Sequence, residues 1–437
     1  MTDPRHPTRP TNPTARPSVA VIGSGVAGLT AAYVMRRSHE VTLFEADERI
    51  GGHAHTHDIV GPAGEDLAID TGFIVHNQRA YPTLVRLFSE LGVATQDTEM
   101  SLSVRCDGCG LEYCGGRGAR GLMAPELLAR PRYVGMLAEV LRFHRHARSL
   151  LSTSATSADR TLGEFLGAGR YSRYFRSHFM TPLVAAVWSC GPATAEDYPA
   201  RYLFTFLENH GMLSVGGPPL WRTGVGGSRT YVDLAVKELT AVRAATPIRS
   251  VTRRPGADAG AVEIRDVADR RSHFDAVVIA THPDQALRLL GDATDAERTA
   301  LGAFTYSVNP TVLHTDTTIL PLAERARASW NYRMRACHDT AESVQVTYDM
   351  TRLQRLDTDQ RYLVSLNADA AISPETVIDR MVYAHPQFTP ASVAAQSLLP
   401  ALNDGVTAFA GAYHGWGFHE DGARAGLAAA RSLGGHW

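Results

Sequence analysis

The chain has 437 residues, 44% apolar and 20% charged, with a formal net charge of −2. That length exceeds one simple core and predicts two or three structural units. The near-neutral balance excludes the basic footprint of a nucleic-acid binder, and no apolar run is long enough to predict a transmembrane helix.

Residues 1–17 carry five prolines and no apolar stretch, which predicts a disordered leader and not a secretory signal. The next segment, SVAVIGSGVAGLTAAYVMRRSHEVTLFE (18–45), reads as strand, glycine loop, helix and strand. Gly23, Gly25 and Gly28 form G-x-G-x-x-G. One glycine permits the tight turn, one lets backbone approach a pyrophosphate, and one lets the helix pack close to the strand. The helix starting near Val26 and Ala27 would aim its N-terminal amides at the phosphates. Glu45, 20 residues after Gly25, can accept hydrogen bonds from ribose hydroxyls. Together these features predict a dinucleotide site.

Glu45 is followed by Ala46, Arg49, Gly51, Gly52, His53 and Thr56. This resembles the E-x-x-x-R-x-G-G-x-x-x-T element of FAD-containing oxidoreductases of the flavin amine oxidase superfamily. The resemblance implies FAD, whose pyrophosphate and ribityl chain would run past the second glycine pair. His53, His55 and His57 alternate as on one strand face and are expected to line the flavin. No further ligand follows them at metal spacing.

Residues 67–76 predict a strand entering a turn at Asp70–Thr71–Gly72, with Thr71, Gly72 and Phe73 assigned to the cofactor. Residues 81–91 predict a helix and 100–114 a hairpin. Cys106-x-x-Cys109 with Cys114 resembles half a zinc knuckle. Because Cys190 and Cys337 stand far off in sequence, a hairpin turn at Asp107–Gly108 is expected there and no metal. Five cysteines, odd and sparse, predict a reducing cytoplasm.

Residues 130–151 predict an amphipathic helix. Its arginines 142, 145 and 148 suit a solvated cap face, or else contact with the inner face of a membrane. Residues 154–159 read as a loop and 161–211 as mostly helical, so 80–215 predicts a helical cap. From Gly224 the pattern returns to a glycine loop and helix. Strands follow at 247–251, which includes Ile248, at 261–265 and at 274–281, which ends in Ala280 and Thr281. Strands at 311–315, 343–349 and 362–367 and a helix near 376–383 would floor a substrate site. A last strand at 407–411 ends on Gly411. Glu420, Asp421 and Gly422 would sit at the start of the final helix, which the resemblance to the superfamily implies faces the flavin.

The fold expected is α/β: a Rossmann-like FAD-binding domain of the GR2/amine-oxidase type with a substrate domain of mixed sheet and helical cap. The FAD domain would comprise 18–79, 220–304 and 405–437, and the substrate domain 80–219 and 305–404. No second dinucleotide fingerprint appears. No cysteine follows Cys337, so the FAD should be non-covalent.

Several blocks, among them DTGFIVHNQRAYPTLVRLFSELGV, WRTGVGGSRTYV, ASWNYR and FAGAYHGWGFHEDG, resemble a bacterial family described as predicted FAD/NAD-binding amine oxidoreductases. Relatives of that family are associated with cyclopropane fatty acid synthases. The resemblance implies oxidation of an apolar, fatty-acyl-like substrate, with a lipid methyltransferase as a conceivable partner. Alternatives are an amine or amide oxidase forming an imine, and a redox-neutral double-bond isomerase or non-catalytic partner. Trp330, Asn331, Tyr332, Tyr413, His414 and Trp416 are the cavity candidates, with His414 as base. The single lysine, Lys237, is expected mid-helix and away from the cavity. Arginine cannot replace it as a proton acceptor.

Overall fold

The computed structural model describes residues 16–153, 160–214, 219–254, 260–338 and 341–437. The leader up to residue 15 and the loop 154–159 lie outside them. The expected dinucleotide unit is present as β1 (Ser18–Ile22), α1 (Val26–Met35) and β2 (Glu40–Phe44). β1 is apolar and central, so it is buried on both faces, as a strand covered on both sides must be. It pairs in parallel with β2 on one side and with Ala276–Ile279 on the other. Ala241–Arg243 and Thr407–Phe409 complete a five-stranded parallel sheet.

α1 is buried along its whole length. The C-terminal helix His419–Ser432 lies across it so closely that a Cβ on Gly426 would fall 2.1 Å from the Ala27 carbonyl oxygen. Small residues on both helices make that approach possible. The short strands β3 (Thr56–Val60) and β4 (Asp66–Asp70) form a hairpin beside this unit.

Asp70 pins the hairpin to the glycine loop at 226–228. Its carboxylate accepts from Thr56 Oγ1 (2.6 Å), the Ser228 amide (2.9 Å) and Ser228 Oγ (2.8 Å). A second sheet of seven strands runs in the order 377–387, 305–314, 363–366, 346–349, 330–334, 102–106, 111–115. All its neighbours are antiparallel except Trp330–Met334 with Leu102–Cys106. The helices between residues 119 and 209 cover it from one side, with Phe143, Phe165, Phe175 and Phe204 interlocked among them.

The structure differs from sequence expectation in three places. The helix expected over 376–383 does not form: after a single 3-10 turn, Pro374–Thr376, Val377–Gln387 is a strand, paired with Thr305–His314 along its length. It lies at the sheet edge and leaves Ile378 and Val382 exposed, four residues apart, and that spacing imitates a helical face. Of the three alternating histidines only His57 lies within a strand; His53 sits in the preceding turn. Lys237 closes the helix Arg229–Lys237 at its last position and is exposed, so it is terminal, not mid-helix.

Candidate active site

A cavity of about 710 Å³ runs from the N-terminus of α1 to the helical cap, a size within the roughly 300–1,000 Å³ usual for ligand clefts. At its first end lie Gly23, Gly25, Val26 and Ala27, then Glu45, Ala46, Gly52 and His53. Gly23 has φ +100°, and a Cβ there would strike the Ala280 carbonyl oxygen at 2.7 Å. Gly25 is different. Its φ of −62° is ordinary, and a Cβ would meet nothing within 4 Å. Its side faces open space at a helix start that carries no side-chain cap and no acidic residue in its first turn. Uncapped amides opening onto a cleft suit a pyrophosphate.

Glu45 is oriented by its own chain. One oxygen accepts from the Ser24 amide (2.9 Å) and hydroxyl (2.5 Å), the other from the Asp47 amide (3.1 Å). A carboxylate has about four acceptor sites, so capacity remains for ribose hydroxyls. Arg49 does not reach the cavity. Its guanidinium donates to the carbonyls of Gly52 (2.8 Å) and Ala54 (3.2 Å) and so stiffens the loop. Gly51 and Gly28 are likewise structural: Gly51 donates to Ser24 Oγ (2.9 Å), and Gly28 lets α1 lie on the Gly23 carbonyl.

The middle of the cavity is lined by Thr71, Gly72 and Phe73, by Ile248, by Ala280 and Thr281, and by Gly411, all expected. Glu420, Asp421 and Gly422 do not line it. The Glu420 carboxylate turns away and accepts from the amides of Thr83 (3.0 Å) and Leu84 (2.9 Å). It thereby caps α2 (Pro82–Leu91), which has no side-chain cap of its own. Asp421 accepts from the Phe418 amide (3.1 Å), and Gly422 packs on Val26. The start of the C-terminal helix does reach the cavity, but through Gly417, Phe418 and His419.

Glu420→Ala should therefore cost about 2–3 kcal/mol, the usual penalty for stranding two buried amides, with flavin content unchanged. Urea melts alongside flavin absorbance check this; loss of flavin at unchanged stability would restore a cofactor role.

At the far end the candidates divide. Trp330 and Tyr413 line the cavity; Asn331, Tyr332, His414 and Trp416 do not. Asn331 is spent on the Ala328 backbone, and Trp416 packs against Phe206 and Tyr202. His414 lies behind Tyr413, and burial brings its pKa down to about 4. It is no base for a substrate in this cavity. Residues not foreseen fill the space instead: Val187, Trp188, Phe206, His210, Trp221 and Tyr348. Trp188 is fixed by donating to the Trp416 carbonyl (2.9 Å). His419, also in the lining and not foreseen, stacks on Phe73 with ring centroids 3.4 Å apart.

A group of imidazoles lines one wall. His53, His282 and His385 cluster with Tyr383 (His53 to Tyr383, 5.0 Å; His53 to His385, 5.5 Å). Burial, then the neighbouring imidazoles, brings His53 down to about 3; burial brings His385 to about 4. Both are neutral, so this wall offers uncharged donors and acceptors. His55 and His57 are outside the cavity, their rings 4.2 Å apart and tilted by 32°.

Three buried polar atoms of the lining, His53 Nε2, Trp330 Nε1 and Tyr413 Oη, have no protein partner among the described residues. An unpaired buried polar atom costs about 1–3 kcal/mol, and an occupant able to hydrogen-bond would relieve it. With the open Gly25 cradle, these residues fit a flavin dinucleotide.

The sequence profile of the family described as flavin containing amine oxidoreductase matches residues 26–361. The chain belongs to this family of flavin-dependent oxidoreductases. It is similar to AofH of Mycobacterium tuberculosis, assigned as a flavin-containing monoamine oxidase, at 30% identity over 204 residues. That alignment covers 44% of this chain and only 42% of the relative. The fold matches cyclohexylamine oxidase from Brevibacterium oxydans (TM-score 0.68, 16% identity, 96% of this chain and 98% of that one). It equally matches a fatty acid isomerase of P. acnes that produces CLA (TM-score 0.67, 16% identity, 95% and 98%). At such identity these likenesses speak for the fold alone. No helix among the described residues is long and apolar enough to cross a membrane.

Proposed function

We propose that this flavin oxidoreductase binds FAD non-covalently and takes hydride from a C–H bond of an apolar, fatty-acyl substrate. The observation that carries this reading is the distribution of charge in the cavity. Its charged lining residues are Glu45, Asp47, Arg249 and Arg288: Glu45 and Asp47 follow β2, their carbonyls bind the Thr246 and Ala245 amides just before Arg249, and Arg288 lies on a helix whose following residue, Leu290, bridges to Val251 in the strand of Arg249. The cap end is lined by Val187, Trp188, Phe206, Met212, Trp330 and Tyr348, with no carboxylate among the described residues. An acyl chain gains about 0.8 kcal/mol per methylene buried on such a surface.

Bound in the cleft, FAD supplies the two-electron acceptor. The chain's own contribution is to exclude water with its aromatic lining, to hold Glu45 at the ribose, and to offer the neutral His53 imidazole as an uncharged hydrogen-bonding group. No cysteine among the described residues lines the cavity, which supports non-covalent binding.

Amine oxidation is the second reading, favoured by the family and its amine-oxidising relatives. Aromatic faces such as Trp188 and Trp330 can hold an ammonium by cation–π attraction. Against it, the single lysine, Lys237, is exposed and does not line the cavity. Anaerobic titration with cyclopropane and unsaturated phospholipids against a panel of amines separates the two. Flavin bleaching by lipids alone is expected. Bleaching by amines alone sinks the proposal, and a lipid product of unchanged mass would make the protein an isomerase.

A further inference from the structure

We propose that Cys106, Cys109, His178 and Cys337 hold a zinc ion that ties the substrate sheet to the helical cap. The four side chains come from three separate places. Cys106 ends the strand Leu102–Cys106, and Cys109 lies three residues on in the hairpin turn. Cys337 follows the strand Trp330–Met334, whose parallel register sets Met334 against Cys106. His178 comes from Arg176–Met180 in the cap, a π-helical turn; such turns recur at functional sites.

All four ligand atoms lie within 4.8 Å of one another. Cys106 Sγ is 3.8 Å from Cys337 Sγ, and Cys109 Sγ is 3.6 Å from His178 Nε2. Around a tetrahedral zinc with Zn–S about 2.3 Å, sulfur–sulfur edges are about 3.8 Å and sulfur–nitrogen edges slightly shorter. The side chains already stand near those positions. Cys114, which the sequence grouped with the pair, is not in the cluster. Cys337, which looked solitary, is.

The surroundings hold the ligands in place. His178 Nδ1 lies 3.2 Å from the Tyr174 carbonyl and 2.8 Å from Ser177 Oγ, so the ring presents Nε2 to the sulfurs; a metal-bound histidine is oriented in this way. Tyr174 stacks on the same ring at 4.0 Å, and Tyr113 Oη donates to the His178 carbonyl (2.8 Å). The turn sits directly on the other strand: the Asp107 amide donates to the Met334 carbonyl (2.9 Å), and a Cβ on Gly108 would lie 3.0 Å from Ala336 Cα. Asp107 also pairs with Arg105 and Arg333.

Three thiolates and one imidazole form a closed set with no position for a substrate, which is the pattern of structural zinc. Each thiol releases its proton as the metal binds. None of the four residues lines the cavity. Trp330 faces the cavity from one end of its strand and the cluster closes the other, about 13 Å away at 3.3 Å per residue. The ion would thus brace the sheet and cap from outside the flavin site. A Cys106–Cys337 disulfide is the competing use of two of these residues, but it would leave Cys109 and His178 facing each other for no purpose.

The test uses the full-length, flavin-bound protein purified under reducing conditions from zinc-supplemented cells. Elemental analysis should give one zinc per chain. Cobalt exchange should give the intense visible bands of tetrahedral thiolate coordination, a readout that needs no variant. Cys109→Ser and His178→Ala should each lose the metal, while Cys190→Ala, outside the cluster, keeps it. Wild-type protein that takes up neither zinc nor cobalt overturns the proposal. So does full zinc content in Cys109→Ser and His178→Ala, or a Cys106–Cys337 disulfide found by mass spectrometry.

Discussion

Gly25→Val is expected to yield soluble, folded protein that no longer retains flavin. The backbone at Gly25 accepts any residue, and an added Cβ meets nothing within 4 Å. The isopropyl group would instead occupy the space where a pyrophosphate meets the amides of α1. Losing two charge-assisted hydrogen bonds costs on the order of 3 kcal/mol or more, at least about a hundredfold in affinity. Gly28→Ala should fail differently. Its Cβ would lie 1.9 Å from the Gly23 carbonyl oxygen, and neither backbone can yield, so α1 must leave the sheet. Flavin stoichiometry after gel filtration, with thermal melts of the apo forms, distinguishes them. Wild-type flavin content in Gly25→Val would contradict the proposed cradle.

Acid should destabilise the protein steeply, beginning near pH 6.5. His76, His210 and His314 are buried, and that burial brings each to about 4. A depressed histidine pKa means that below pH 6.5 the unfolded chain takes up protons the native chain refuses, so stability falls as pH falls. At about 1.4 kcal/mol per unit, each contributes up to about 3 kcal/mol once pH reaches 4. His53, His55, His385 and His414 push the same way.

Asp70 and Asp421 oppose them. Burial raises both carboxyls to about 6, so their protonated native forms gain stability as pH falls through 6 toward their unfolded value. Two carboxyls do not offset seven imidazoles. Urea melts at pH 7, 6 and 5 should show several kcal/mol lost overall. A flat or rising profile would mean that these histidines are hydrated in solution.

Residues 18–45 were readable because their constraint is local. Glycine spacing, a short apolar strand and an acidic strand end all lie within one βαβ unit, and each residue's job is set by a neighbour a few positions away. Most assigned cofactor residues line the cavity for that reason. Glu420 was misassigned because its position at the helix start was right while its direction was not. Nothing in the sequence tells that α2, more than 300 residues earlier, needs a cap there.

The strand Val377–Gln387 was misread because an edge strand does not hide alternate residues, so its period of two is lost. Cys337 was invisible for a different reason. Its neighbours are set by the pairing of strands more than 200 residues apart, and spacing rules see only ligands on one turn. The cap aromatics Trp188 and Phe206 lay in segments read simply as helix; which face would turn toward the flavin end depended on the sheet beneath.

The parallel sheet around β1 also governs when the protein can be finished. Its third strand in spatial order is β1, made first of the five; its outermost, Thr407–Phe409, is made last of them. The helix that follows that last strand lies directly across α1. At 5–20 residues per second, the ribosome separates these partners by roughly 20–80 s. Through that interval the glycine loop has no completed sheet behind it and α1 keeps an open apolar face. Flavin capture therefore waits for the strand Thr407–Phe409 and the helix His419–Ser432 behind it, and the nascent chain must be kept from aggregating until both have emerged.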